Sequence, residues 1–257
     1  MNIILKKLTA PVVLLCMSLA LASCLDSTSS SDDDGEAFNH QRNPGTSAEA
    51  LLRDSTYTSL AVEVDYMPGH EPTSEALDSL KSFLEQRLNK SNITVRTPTE
   101  IPTGGQQAYS ASDVRDLEAE HRNNTTSASS STLEAYIIIV DGEYTESNVL
   151  GIAYYNTSTA FFGPTIQSAS SGVGAPSQQK IEGTVFRHEF GHIMGLVGVG
   201  TPVQASHQTG DGQHCNRDGC LMEPSVETTD YFANLFDGDI PNLGSYCIND
   251  LQANGGK

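Results

Sequence analysis

Apolar positions recur along this chain with two different periods. Residues 60–67 (LAVEVDYM) alternate apolar with polar, the period of a half-buried strand, and Pro68-Gly69 ends it. From Thr73 or Ser74 the spacing becomes helical, with Ala76, Leu77, Leu80, Phe83, Leu84 and Leu88 along one side. Residues 93–96 read as a second short strand, and residues 111–122 as a second helix capped by Ser110 or Ser112. Residues 135–140 (AYIIIV) are continuously apolar and β-branched, as in a central strand buried on both faces. Residues 151–155 and 160–162 read as two further strands, the first antiparallel at the sheet edge. A Ser/Gly/Pro loop over 167–177 precedes a helix over 178–196, in which Phe186, Phe190, Ile193 and Val197 share a packing side. Beyond Met222, Thr228 to Asp230 open one short helix, and residues 253–257 read as loose. The order predicts an α/β fold: a mixed, mostly parallel sheet with an antiparallel edge strand, packed on helices.

The first 23 residues fit neither period. Lys6 and Lys7 precede an apolar run over 8–22, the pattern of a secretory signal, and the run is too short for a comfortable membrane span. Leu21-Ala22-Ser23-Cys24 matches the bacterial lipobox, which predicts cleavage before Cys24 and lipid, palmitate included, at that residue. Residues 24–57 are rich in Ser, Asp, Gly and Asn and read as a flexible tether; residues 58–257 are left for one domain. Within the tether, Ser31-Asp32-Asp33-Asp34 reads either as a solvated acidic linker or as a short acidic export signal. Such signals send some Bacteroidetes lipoproteins to the outer face of the outer membrane. The expected location is therefore the bacterial cell envelope, with a lipid anchor in the outer membrane.

Charge narrows the partners. The chain has 14 Lys+Arg against 32 Asp+Glu; without residues 1–23, which hold two lysines and no acid, 12 remain against 32, a net −20. Such a surface repels nucleic acid and anionic headgroups, so no nucleic-acid partner is expected. Of the five cysteines, Cys16 leaves with the signal and Cys24 takes lipid. Cys215, Cys220 and Cys247 remain, and an exported domain with three thiols predicts one disulfide among them, with the pairing open.

The chemistry concentrates at His188-Glu189-Phe190-Gly191-His192. His188 and His192 lie one turn apart on a helix, so two imidazoles can grip one zinc ion beside Glu189, a general base. Four of the seven histidines (His188, His192, His207, His214) fall in this one region. A catalytic zinc takes three protein ligands and keeps one position for water.

Gly195 stands where a metzincin has its glycine turn, but Gly198 stands where the third His is expected. Downstream, His214-Cys215 and Cys220-Leu221-Met222 resemble the H-C-x-x-x-x-C-x-M stretch of archaemetzincins. The chain thus resembles a metzincin of archaemetzincin type with an insertion before the third ligand, and is similar to membrane-anchored metalloproteases of Bacteroidetes-type bacteria. The resemblance implies zinc held by His188, His192 and His214, with His207 the alternative third ligand and Asp211 also within reach. It implies Glu189 as base, Met222 as the floor of a Met-turn, and a peptide or protein substrate bound along the edge strand near Tyr154-Tyr155. Archaemetzincins complete a second, structural zinc site with a C-x-x-C; here Cys247 stands alone. The implied function is a zinc-dependent peptidase with a metal-activated water, anchored to a membrane by lipid. The other reading is a non-proteolytic surface binding lipoprotein with a structural or decayed metal site.

Overall fold

The computed structural model describes residues 37–233 and 240–257. The signal segment, Cys24 and the acidic run at 31–34 lie outside the described residues. The chain builds α1 (Ala48–Leu52), β1 (Ser59–Tyr66), α2 (Ser74–Arg87), β2 (Asn92–Val95), β3 (Thr99–Glu100), β4 (Ala108–Tyr109), α3 (Ala111–His121), β5 (Thr132–Val140), β6 (Glu143–Tyr144), β7 (Gly151–Tyr155) and β8 (Ser158–Phe162). It continues through α4 (Gly163–Ala169), α5 (Gln178–Ile193), α6 (Thr229–Ala233) and α7 (Ser245–Ala253).

The apolar run in β5 becomes the middle of the main sheet, whose order is β2-β1-β5-β8-β7, with β3 paired to the end of β1. β1 is parallel to β2 and β5, β5 is parallel to β8, and β7 runs antiparallel to β8 at the edge. This is the expected α/β architecture. One face packs on α2 and α5, and the other on α3, around Tyr109, Val114, Tyr136 and Tyr154. A capping box between Ser110 and Asp113 starts α3.

β1 departs from its expected half-burial. It lies between two strands, so its polar positions are buried too and must be paired. Glu63 accepts from the backbone N–H groups of Asn123 and Asn124 at 2.9 and 2.8 Å, and Asp65 from the Tyr136 hydroxyl at 2.9 Å.

The segment expected to be a loose tether is, from Phe38 onward, part of the fold. Phe38, Leu51, Leu52 and Tyr57 are buried in the main core. Asn156 Nδ2 donates to Asn39 O and Ser47 Oγ, and Arg42 O accepts from Asn156 N at 2.8 Å. Four well-placed apolar side chains suffice to anchor a stretch whose average composition is polar. The C-terminal residues are also held: Lys257 N donates to Arg87 O at 2.9 Å. Among the described residues, the tail after Met222 forms two α-helices, α6 and α7, rather than one. Among the described residues no helix is long and apolar enough to cross a membrane.

Candidate metal centres and cleft

α5 is buried on all sides from Ile181 to Ile193, which fixes its rotation and therefore the aim of its histidines. Glu182 accepts from the backbone N–H and the hydroxyl of Thr73 at 2.9 and 2.7 Å, tying α5 to the start of α2. The helix ends at Ile193, short of the expected 196; Gly195, just past its C-cap, has a φ of +78° that suits glycine, and a Cβ there would meet the Ala48 Cβ at 2.7 Å. The chain can therefore turn away one residue after the C-cap, with α1 packed against the turn.

His188 and His192 present their Nε2 atoms to each other at 3.1 Å. His188 Nδ1 donates to Leu221 O at 2.7 Å, which leaves Nε2 as a lone pair. The His214 ring joins them, its centroid 5.5 Å from that of His188 and 5.0 Å from that of His192. Its Nδ1 lies 3.2 Å from the Asp211 carboxylate. With Glu227, the ligating atoms of the three histidines all lie within 4.8 Å of one another. Burial pulls His188 down to about 4 and His192 well below the ordinary value. Burial also pulls on His214, but Glu227 and Asp211 together outweigh it and hold its pKa up. Neutral imidazole is the form that binds a metal.

Glu189 is fully buried in the same cleft, its pKa raised well above the ordinary range by burial and then by the charge on Glu227. It accepts a hydrogen bond from the backbone of Ala153 on β7, yet its Oε1 has no partner. His214 Nε2 is likewise buried without a hydrogen bond. Orphaned donor atoms converging at one point fit a cation, and the nitrogen and carboxylate set suits zinc. Beneath the helix, the Met222 sulfur sits where a Cβ on Gly191 would meet it at 2.2 Å, so the glycine inside the motif admits the methionine. The cleft, about 560 Å³, is walled by Ile152 and Ala153 of β7 on one side and by Asn43, Pro44 and Thr46 on another. Sequence reading missed this N-terminal wall, because nothing local marks those residues as belonging to a cleft.

His207, the alternative third ligand, is not in this cluster. Its Nε2 donates to the buried Asp250 of α7 at 2.7 Å, and its Nδ1 lies 3.4 Å from Cys215 Sγ and 3.9 Å from Cys247 Sγ. Cys220 Sγ lies 3.6 Å from Cys247 Sγ. His207, Cys215 and Cys247 form a second, buried cluster of metal-ligating type, with Cys220 beside Cys247. The expected disulfide is absent: Cys215, Cys220 and Cys247 are all free. Three sulfurs and one imidazole nitrogen converge here, so no two thiols form an isolated pair. The Cys220 thiol is brought down to about 6, first by a hydrogen bond from Cys247 and then by the Gly244 N–H. Burial pushes Cys215 up to about 11. Asp250 and Glu227 were missed in the sequence because each lies far along the chain from the side chains it meets.

No protein-family model matches the sequence, and no curated protein matches it. Among solved structures, the chain is similar to archaemetzincin from Methanopyrus kandleri. The two share 15% identity and a TM-score of 0.48, over 78% of this chain and 96% of that one.

Proposed function

We propose that this chain is a zinc-dependent peptidase of metzincin type. The observation that carries the reading is the convergence of the three imidazoles beside a buried carboxylate with an unpartnered oxygen. His188, His192 and His214 hold the ion. When bound, zinc supplies a water acidified to a pKa of about 7 and an electrophile for the scissile carbonyl. Glu189, its pKa raised by burial, accepts the water's proton and delivers it to the leaving amine. Its bond to Ala153 aims it along β7, where an extended peptide adds as one more strand. Leu221 O fixes the tautomer of His188, and Asp211 orients His214. Glu189→Gln should keep bound zinc and lose peptide hydrolysis about 10²–10⁴-fold, the share of a general base. Retained hydrolysis would refute the role; wild-type protein that binds zinc but cuts no peptide library would favour the binding lipoprotein instead.

The second cluster, His207, Cys215, Cys220 and Cys247, is proposed as a structural zinc site. Its donors are soft, it is buried, and His207 is oriented by Asp250 as ligating histidines are. We further propose that Cys24 carries lipid and fixes the protein to the outer membrane, a reading supported by the lipobox alone. Cys24→Ala should then move the protein from the membrane to the soluble fraction; unchanged partitioning would count against the anchor.

A further inference from the structure

The peptidase reading leaves one neighbour of the three imidazoles without a task. Glu227 closes the turn Pro224–Glu227, and its backbone oxygen accepts from Leu150 N at 2.9 Å, just before β7. Its Oε2 lies 3.4 Å from His214 Nε2 and 3.8 Å from His188 Nε2. Hydrogen bonding explains at most one of them: a protonated His214 can donate through Nε2, but nothing donates between Glu227 and His188. His188 donates through Nδ1, so its Nε2 is a bare lone pair. The Nδ1 of His214 faces the Asp211 carboxylate, which only accepts, and its Nε2 has no hydrogen-bond partner. A carboxylate oxygen held among lone-pair nitrogens is repelled unless a cation lies between them. One proton relieves one contact; a divalent ion relieves them all. The spacings agree with this. Four ligands at 2.0–2.1 Å around a tetrahedral zinc stand about 3.3 Å apart. Three of the six separations here are 3.1, 3.4 and 3.8 Å, and all six lie within 4.8 Å.

We propose that Glu227 is the fourth protein ligand of the resting centre, an inference that rests on the zinc reading above. With zinc bound, Glu227 would occupy the position that a catalytic zinc otherwise keeps for water, and its side chain would have to give way before Glu189 could act on that water. The turn is bonded to the chain at Asn148 and Leu150, so release is a rotation of the Glu227 side chain, which is 29% exposed toward the cleft. The centre therefore rests latched and opens when something in the cleft displaces a carboxylate.

The test is cobalt titration of the metal-free full chain, followed by its visible ligand-field bands. Subtracting the spectrum of His188→Ala isolates this centre from the cysteine cluster. Glu227→Ala should bind cobalt about tenfold more weakly or worse, a loss at least as large as that of a partner outside the ligand sphere. Its bands should also shift on adding azide at concentrations that leave wild type unchanged. Glu227→Gln, nearly isosteric, should show the same azide response if the fold is intact. Unchanged affinity and unchanged azide response in both variants would overturn the latch and leave the zinc reading standing. A wild-type spectrum identical to that of His188→Ala would overturn both.

Discussion

The two metal-ligating clusters meet at His214-Cys215, each drawing its other members from different elements, and differ in almost every physical respect. The first offers three imidazole nitrogens and a carboxylate oxygen, opens on a cleft, and has a buried base beside it. The second offers three sulfurs and one imidazole, is fully buried, and has Asp250 only as an orienting partner. On the proposed reading, the first would bring a substrate to a metal, and the second would hold chain segments together. Donor type alone would suggest the contrast; the cleft and the unpartnered Glu189 oxygen give it a chemical meaning.

The strongest way to break this contrast is to disable the second cluster. Structural zinc sites contribute on the order of 10 kcal/mol to folding. Cys247→Ser should therefore melt the C-terminal region, with α7 and the loop from His207 to Met222 losing amide-exchange protection. Under the same test, His192→Ala should abolish hydrolysis and leave that protection nearly intact. Equal protection losses in the two variants would erase the distinction.

Gly191→Ala probes the joint between the clusters. Alanine in a helix is favoured over glycine by about 0.5–1 kcal/mol. Here the new methyl meets the buried Met222 sulfur at 2.2 Å, and such overpacking costs about 1–3 kcal/mol. The net expectation is destabilisation by about 1–2 kcal/mol in urea unfolding, with weaker metal binding at both clusters. A more stable variant would mean that Met222 yields freely.

The smallest effect concerns the cleft wall and acid. Burial and the neighbouring Arg122 charge hold the His40 pKa down to about 3, below its ordinary 6.5. Its Nε2 accepts from Thr126 N at 2.8 Å, which requires the neutral ring. Between pH 6.5 and 3 the unfolded chain binds the extra proton and the folded chain does not. The stabilisation is therefore complete above 6.5 and is lost as pH falls toward 3. The stability gap between wild type and His40→Gln should narrow across that window. A gap independent of pH would show that the ring is charged in the fold.

How much of this could be read from the sequence depended on how far apart the cooperating residues lie. His188, Glu189 and His192 sit within one turn of a helix, so spacing alone placed them together. β5 announced its central position through an unbroken apolar run, whereas β1 looked half-exposed because its buried acids are paired by Asn123, Asn124 and Tyr136, remote in sequence. The Phe38–Tyr57 segment was hidden by averaging, since a few anchoring side chains are diluted by many polar ones. His207 and Asp250 are 43 residues apart, and no periodicity links them. The odd number of thiols suggested a disulfide because the imidazole that joins them comes from an insertion with no local signature.

His214 and Cys215 are consecutive, yet each belongs to a different cluster, and Cys215 N is bonded to Met222 O at 2.7 Å. Both clusters therefore depend on the conformation of one peptide unit, and a change that rotates it displaces a ligating side chain in each.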